Sequence, residues 1–185
     1  RAYLAVRGGI DTPRVLGSAS THSLSGFGHT LRKGDKLPVG TMADLPVAAE
    51  PAQRPEFRKT LRVTPGAQSR QFHGDAAFDF LSATYKVRDD SNRMGIRLTG
   101  PRIAPPFHGQ MPSEGVPLGA VQVPSAGEPI ILFVDAQTTG GYPVIACVIS
   151  ADLYCLGQLR PRDEVRFEPV TIEQAVKLLR EQPEY

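Results

Sequence analysis

The chain has 185 residues, of which 21 are Lys or Arg and 19 are Asp or Glu, so its formal net charge is +2. A hydrophobic share of 41% excludes wholesale disorder. The length suits one large domain, or one domain and part of another. The near-neutral balance, without a basic stripe, argues against nucleic acid as the main partner. No apolar run approaches the ~20 residues that span a bilayer, so no membrane association is expected.

The cysteines and histidines do not form a metal-binding pattern. Cys147 and Cys155 lie in an apolar stretch, which is typical of a reduced protein, and we expect a cytoplasmic location. The four histidines are isolated from one another, so no metal site is predicted. The serine-nucleophile signature GxSxG and the phosphate loop GxxxxGK[ST] are also missing from the sequence. An ATP-using enzyme would therefore need another nucleotide-binding device or another chain.

Short alternating and apolar runs predict a mainly-β chain. Eighteen Gly and 17 Pro indicate many turns. Two short helices are expected, and the second has a capping box in which Thr171 is followed three residues later by Gln174. In chain order, the predicted strands are Ala2–Val6, Lys59–Val63, Thr84–Val87, Met94–Leu98, Ala120–Val123, Ile130–Val134, Val144–Ile149 and Glu164–Phe167, and the predicted helices are Ala76–Ala83 and Ile172–Glu181.

A weak internal repeat suggests two related β units. Tyr3-Leu-Ala-Val followed by Asp11 resembles Val144-Ile-Ala-Cys followed by Asp152, and the phrase around Asp35 resembles the phrase around Asp163. Each unit is expected to contain a turn anchored by its aspartate. The second unit has many strands before the repeated phrase, whereas the first has almost none.

The repeat and the composition together divide the chain into three parts. Residues 41–57 are rich in Pro and Ala without a hydrophobic period, which indicates a linker. Residues 1–40 are predicted to be the C-terminal part of a first β domain whose start is missing. Residues 58–185 are predicted to form a complete β-barrel domain.

The first candidate site segment is Ser91–Leu98. Arg93 and Arg97 are four residues apart, so on a strand they would share a face, and Gly95 between them allows close approach. Two guanidiniums on one face can hold a carboxylate, a phosphate or a ureido group. The alternative is a solvated pair or a set of structural ion pairs.

The second candidate segment is Ser113–Pro124. Glu114 lies at a turn before a buried strand, where it would act as a base or orient a substrate amide. Gln122 lies between Val121 and Val123 and should point to the opposite side of the strand. Such a glutamine either lines a polar pocket or faces solvent, and solvent is the favoured alternative.

The third candidate segment is Asp135–Pro143. An apolar strand places Asp135 at its end, where it could act as a general base. Gly140 and Gly141 permit positive φ, so their N–H groups can form an anion nest or an oxyanion hole. Tyr142 is a candidate donor. An ordinary β-turn with a capping aspartate is the alternative.

These segments resemble the allophanate hydrolase subunit 2 family. That family is also known as KipA or as the C subunit of 5-oxoprolinase, and it is related to the carboxyltransferase region of urea carboxylase. The resemblance implies a cyclophilin-like β-barrel with a pocket at the barrel surface. The phrases that carry it are Ala2-Tyr-Leu-Ala-Val-Arg-Gly-Gly-Ile-Asp11, Arg32-Lys-Gly-Asp-Lys-Leu-Pro38, Ser91-Asn-Arg-Met-Gly-Ile-Arg-Leu98, Ser113-Glu-Gly-Val-Pro117, Gln122-Val-Pro124 and Asp135-Ala-Gln-Thr-Thr-Gly-Gly-Tyr-Pro143.

The resemblance also implies an activity and partners. The chain would be the C-terminal portion of one subunit of an ATP-dependent amide or lactam hydrolase complex, with 5-oxoproline favoured over allophanate as substrate. It would act with a subunit 1 (KipI-like) protein, and a lactam-utilisation subunit is a further candidate partner. Asp135 and Glu114 would be catalytic. The substrate would be bound by Asn92, Arg93, Arg97, Gln122, Gln137, Thr138, Thr139, Gly140, Gly141 and Tyr142.

Two other functions are compatible with the same phrases. One is the transfer of a carboxyl group from carboxybiotin to an amide nitrogen, which needs a biotin carrier; this chain has no Met-Lys carrier motif. The other is non-catalytic, with a KipA-like regulator that binds a KipI-like kinase inhibitor. The family pattern also includes an earlier half-domain, which we expect to precede Arg1.

Overall fold

The computed structural model describes residues 4–22, 25–41, 56–107 and 111–182. The chain divides into two compact units, Arg1–Ala52 and Gln53–Tyr185. This boundary falls within the segment predicted as a linker. Residues 42–55 lie outside the described residues, so the linker itself stays a prediction.

The second unit is built around a closed β-barrel of seven strands. In chain order, the strands of this unit are β1 (Thr60–Pro65), β2 (Tyr85–Val87), β3 (Gly95–Thr99), β4 (Glu114–Gly115), β5 (Ala120–Gln122), β6 (Ile130–Leu132), β7 (Thr139–Gly140), β8 (Val144–Val148) and β9 (Glu164–Pro169). The barrel order is β1-β8-β5-β6-β3-β2-β9, and β4 and β7 form a separate two-stranded ribbon. β9 closes the barrel because it pairs parallel with β1 and antiparallel with β2.

The register between β5 and β8 is irregular. Val121 lies opposite Ala146, but Gln122 lies opposite Val144, so the pairing passes over Ile145. Such a bulge changes the direction in which neighbouring side chains point. All three residues of β5 are buried, which breaks the in-and-out alternation of a regular strand.

The described part of the second unit also contains three short helices: α1 (Ala76–Ser82), α2 (Leu153–Leu156) and α3 (Ile172–Arg180). The predicted capping box of α3 is confirmed. The Thr171 hydroxyl accepts a hydrogen bond from the Gln174 N–H at 3.2 Å, and the Gln174 side chain accepts one from the Thr171 N–H at 2.8 Å. The predicted mainly-β barrel is confirmed, and the described residues contain three short helices where two were predicted. No helix in the described ranges has the length and apolar character needed to cross a membrane.

The barrel is filled by aliphatic side chains and one aromatic cluster. Phe80 of α1 stacks on Phe167 of β9 with ring centroids 4.3 Å apart, and Tyr85 lies 5.9 Å from both rings. Leu61, Leu98 and other inward-facing residues complete this core. α1 therefore covers the barrel beside the strand that closes it.

A buried ion pair links the start of the barrel to the turn after β8. Asp152 is fully buried and accepts hydrogen bonds from the Arg62 backbone N–H at 2.8 Å and from Arg62 Nε at 3.0 Å. The hydrogen bond to Asp152 raises the pKa of Arg62. The Asp152 carboxylate and the Arg62 guanidinium therefore neutralise each other through hydrogen bonds, as a buried ion pair requires.

The Asp-anchored turns predicted from the repeat have the same local structure. Asp35 accepts a hydrogen bond from the Arg32 N–H at 2.8 Å, and Asp163 accepts one from the Arg160 N–H at 2.8 Å. The residue before each aspartate has a positive φ: 99° at Gly34 and 72° at Arg162. A non-glycine residue takes this conformation only at some cost.

Some predicted elements differ from the structure. Residues 4–6 of the predicted strand Ala2–Val6 are not in a strand, and residues 2 and 3 lie outside the described residues. Within 4–22 and 25–41 no residue is buried, so this segment has no core to order a strand. The ribbon strands β4 and β7 and the helix α2 were not predicted, because elements of two to four residues are too short to show a hydrophobic period.

Candidate functional site

The β4–β7 ribbon brings the second and third predicted segments together. Glu114 lies opposite Gly140, and Gly115 lies opposite Thr139. The pairing continues beyond the ribbon, because the Val116 N–H donates to the Thr138 carbonyl at 2.9 Å. Residues far apart in sequence therefore share one strip of surface on the barrel.

The Glu114 side chain is held by a buried glutamine. Gln68 Nε2 donates to Glu114 Oε2 at 2.9 Å. Gln68 is 5% exposed, whereas Glu114 lies on the surface. The Gln68 Oε1 atom accepts from the Val144 N–H at 3.0 Å, which ties the pair to the start of β8. Glu114 thus has one oxygen fixed by a neutral donor at an accessible position.

Gln122 is buried, and the favoured prediction that it faces solvent is wrong. It is 1% exposed, and its Nε2 atom lies 3.4 Å from the Tyr142 carbonyl, to which it donates. The bulge between β5 and β8 explains the difference, since regular alternation does not apply there. The side chain packs beneath the ribbon, where a Cβ on Gly140 would lie 2.5 Å from Gln122 Nε2.

A side chain at position 140 would therefore require the Gln122 amide to move. Gly140 lies in β7 and has no positive φ, so it does not form the left-handed turn on which the predicted nest depends. Gln137 Nε2 also lies close, 3.6 Å from the position of a Cβ on Gly140. Two amide groups thus approach the same ribbon residue. Gly141 contributes its carbonyl, which accepts from the Met111 N–H at 3.0 Å.

Arg93 and Asp135 form a bidentate ion pair. Arg93 Nε lies 2.6 Å from Asp135 Oδ2, and Arg93 Nη2 lies 2.9 Å from Asp135 Oδ1. The backbone reinforces the pair, because the Asp135 N–H donates to the Arg93 carbonyl at 2.8 Å. Both side chains are partly exposed. Asp135, predicted as a base, thus has both oxygens engaged with one guanidinium.

Arg97 does not join Arg93 on a shared carboxylate. Strand β3 begins at Gly95, so Arg93 precedes the strand and the predicted shared face does not apply to it. Arg97 Nε lies 3.8 Å from Asp90, whereas Arg93 is paired with Asp135. The two guanidiniums have different carboxylate partners, as in the structural ion-pair alternative.

The other predicted substrate-binding residues have mainly local roles. The Asn92 side chain accepts from the Met94 N–H at 2.8 Å, which shapes the turn before β3. Thr138 and Tyr142 supply the carbonyls described above, and Thr139 is an exposed residue of β7. The ribbon therefore brings Glu114 together with the Gln137–Tyr142 segment, while Arg93 and Asp135 lie at the adjoining ends of β3 and β6.

Gln68 was not predicted as a site residue. It follows Pro65-Gly66 in a turn, where a glutamine looks unremarkable in sequence. The glycine at position 66 is a local signal that this turn lies against another strand. A Cβ there would overlap the Val144 carbonyl and prevent the turn from approaching β8. In the described part of the chain, no group of three or more His, Cys, Asp or Glu residues could hold a metal ion.

Comparison with known proteins places these segments in one family. The family model for the carboxyltransferase domain, subdomains A and B, matches residues 1–169. The chain is 38% identical over 189 aligned positions to the C subunit of 5-oxoprolinase from Escherichia coli, covering 100% of this chain and 61% of that protein. It is 33% identical over 209 positions to urea amidolyase of Lachancea kluyveri, covering 96% of this chain and 11% of that protein.

A solved structure agrees with these sequence matches. The urea carboxylase of Kluyveromyces lactis superposes with a TM-score of 0.74 at 28% identity, covering 95% of this chain and 18% of that chain. The chain thus spans about three fifths of the curated 5-oxoprolinase subunit and a small part of the larger enzymes. The family resemblance inferred from the sequence is confirmed, and the chain belongs to the carboxyltransferase domain family, subdomains A and B.

Proposed function

We propose that this chain carries the substrate site of a heteromeric enzyme that hydrolyses the C–N bond of a small amide or lactam. The observation that carries the proposal is the accessible Glu114 carboxylate, held by Gln68 at the edge of the β4–β7 ribbon. The 38% identity to a 5-oxoprolinase subunit over the whole chain supports a substrate of this class.

Glu114 is suited to act as the general base. A neutral amide donor holds Oε2 and does not cancel the negative charge of the carboxylate. In the proposed reaction, Glu114 takes a proton from water while the water oxygen forms a bond to the amide carbon. The C–N bond then breaks, and the leaving nitrogen receives the proton back from Glu114. Asp135 is less suited because Arg93 engages both of its oxygens.

The groups around Glu114 would position the substrate. Asp135 fixes the plane of the Arg93 guanidinium, and we propose that this fixed cation holds the negative charge of the substrate. The exposed Gln137 amide beside Gly140 can exchange hydrogen bonds with a substrate amide, whereas the buried Gln122, predicted as a substrate contact, would support the ribbon from beneath. Contacts with the substrate stay predictions for six further residues: Asn92, Arg97, Thr138, Thr139, Gly141 and Tyr142.

The proposed substrate is 5-oxoproline, with allophanate as the related alternative, and the proposed partner is a subunit 1 (KipI-like) chain. The sequence has no GxxxxGK[ST] phosphate loop to hold a triphosphate. We therefore propose that the ATP used by the complex binds to another subunit.

Turnover by the reconstituted complex tests the proposal. The full-length protein, a subunit 1 chain and a lactam-utilisation chain are combined, and glutamate formed from 5-oxoproline is measured with ATP present. We expect glutamate to be released only when this chain is present. We also expect ammonia to be released from urea or allophanate more slowly than glutamate is released from 5-oxoproline. A stable complex without turnover of either amide would contradict the hydrolase proposal and favour a regulatory role.

Carboxyl transfer is the second candidate, because the matching family model describes a carboxyltransferase domain and a relative is a urea amidolyase. The sequence of this chain has no Met-Lys carrier motif, so the biotin would be supplied by a partner. Avidin detection of biotin on a co-purifying chain, together with bicarbonate-dependent carboxylation of urea, would favour this function over hydrolysis.

A further inference from the structure

The side-chain amide of the buried Gln68, beside Glu114, makes hydrogen bonds through both its nitrogen and its oxygen. Gln68 lies three residues after β1, next to the short 3-10 turn Ser69–Gln71, and is 5% exposed. Burying a side-chain amide is costly unless its polar atoms find partners. The bonds of Gln68 lead to two separate elements, the start of β8 and the ribbon strand β4.

The bond to β8 fixes the direction of the Gln68 amide. The Val144 N–H can only donate, so the side-chain atom 3.0 Å from it must be the oxygen. The Gln68 backbone N–H donates back to the Val144 carbonyl at 3.2 Å. With both contacts made to one residue, the side chain cannot flip without losing a hydrogen bond. The amide nitrogen is therefore directed at Glu114.

This arrangement treats the two oxygens of Glu114 differently. Oε2 accepts the Gln68 Nε2 hydrogen bond at 2.9 Å. Among the described residues, no hydrogen bond to Oε1 is present. Asp135 provides the contrast, since Arg93 binds both of its oxygens. One oxygen of Glu114 is thus used to set the direction of the carboxylate, and the other is left for a proton.

Building on the function proposed for Glu114, we propose that Gln68 is a positioning residue for this base. It fixes Oε2 through Nε2 and thereby aims Oε1 at the open face of the ribbon. Gln68 does not touch the substrate. Its effect on the reaction passes through the direction of the Glu114 carboxylate, which the rigid contact with Val144 maintains.

Gln68→Glu separates this role from a packing role. The variant keeps an acceptor for the Val144 N–H and replaces the donor toward Glu114 with a carboxylate oxygen. We expect kcat of the reconstituted complex to fall about 10- to 100-fold while KM changes less than about twofold. Two neighbouring carboxylates hinder each other's ionisation, so the acid limb of the kcat profile should move to higher pH. Gln71→Glu makes the same chemical change at an exposed position nearby and should leave kcat and its pH profile as in the wild type.

The exchange Gln68→Glu/Glu114→Gln provides a second readout. It restores an amide-to-carboxylate hydrogen bond between the two positions, so the thermal midpoint should return toward that of the wild type. The carboxylate is now at the buried position, and kcat should remain low. Gln68→Met keeps the side-chain length without either hydrogen bond, and it should lower kcat as well. If Gln68→Glu does not fold, the kcat values of the exchange variant and of Gln68→Met test whether Gln68 positions Glu114.

The outcomes distinguish this inference from the proposed function. If Glu114→Gln retains full turnover, the base assignment fails and the role of Gln68 fails with it. If Glu114→Gln loses turnover but folded Gln68→Glu and Gln68→Met keep kcat within about twofold, only the positioning role is overturned. Recovery of kcat by the exchange would likewise overturn it.

Discussion

The guanidinium of Arg93 donates to both carboxylate oxygens of Asp135, at 2.6 and 2.9 Å, across 42 residues of sequence. The pair connects the turn before β3 to the end of β6, where backbone hydrogen bonds extend the pairing of these strands. An arginine held in this way has a fixed orientation at little cost in side-chain entropy. The pair therefore holds the Arg93 guanidinium in a fixed orientation beside the ribbon.

A double-mutant cycle should show that this pair acts as one unit in catalysis. We expect Arg93→Ala and Asp135→Ala each to lower kcat/KM, and the double variant to lose no more than either single variant. Because both side chains are partly exposed, the free energy of unfolding should change by only about 0–1 kcal/mol. Arg88→Ala, which breaks another bidentate surface pair, should leave kcat/KM unchanged. Additive losses in the cycle would contradict the account.

Gly140 should be intolerant of a side chain. In Gly140→Ala, the new Cβ meets Gln122 Nε2 at 2.5 Å, and the buried Gln122 has little room to move. We expect the free energy of unfolding to fall by about 1–3 kcal/mol. Gly115→Ala is the matched control, because Gly115 lies in the facing strand and no atom lies within 4 Å of its Cβ position. Equal denaturant midpoints for the two variants would contradict this explanation.

The hydroxyl of Tyr85 should contribute nothing to stability. It is buried without a hydrogen-bond partner among the described residues, and burial raises the pKa of Tyr85 to about 12. We therefore expect Tyr85→Phe to be neutral or stabilising in thermal unfolding. Tyr154→Phe should instead lose about 0.5–1.5 kcal/mol, because the Tyr154 hydroxyl donates to the Glu56 carbonyl at 2.6 Å. A larger loss for Tyr85→Phe than for Tyr154→Phe would show that Tyr85 has a partner.

The Arg62–Asp152 pair should be essential for the stability of the barrel. Asp152→Ala leaves a guanidinium that is only 14% exposed without its carboxylate. We expect a loss of about 3–5 kcal/mol in the free energy of unfolding. Glu181→Ala removes the exposed pair between Lys177 of α3 and Glu181, the residue that caps this helix, and should cost less than about 0.5 kcal/mol. Chemical denaturation of both variants measures the difference, and similar small losses would contradict the prediction.

The barrel strands could be predicted from sequence because each is a short run in which apolar residues are consecutive or alternate with polar ones. Ile131 and Val165 show this pattern, and both are fully buried. The capping box of α3 was also visible, since it depends only on residues three apart. By contrast, Leu4 is 80% exposed although it lies in an apolar run, because none of the described strands pairs with residues 4–6.

The candidate site was predicted less completely, for physical reasons. The chemistry of Glu114 and the Asp135 segment is visible in residue types and turns. The partners of these residues depend on tertiary contacts, such as the 46-residue separation between Gln68 and Glu114. The burial of Gln122 depends on a bulge between β5 and β8, and a bulge has no signal in the sequence of β5 alone.

The most direct test of the account is the kcat of Glu114→Gln in the reconstituted complex acting on 5-oxoproline with ATP. The variant keeps the size of the side chain and removes its basicity. We expect kcat to fall about 10²- to 10⁴-fold with unchanged assembly of the complex. A kcat equal to that of the wild type, in a folded and assembled variant, would contradict the assignment of Glu114 as the base.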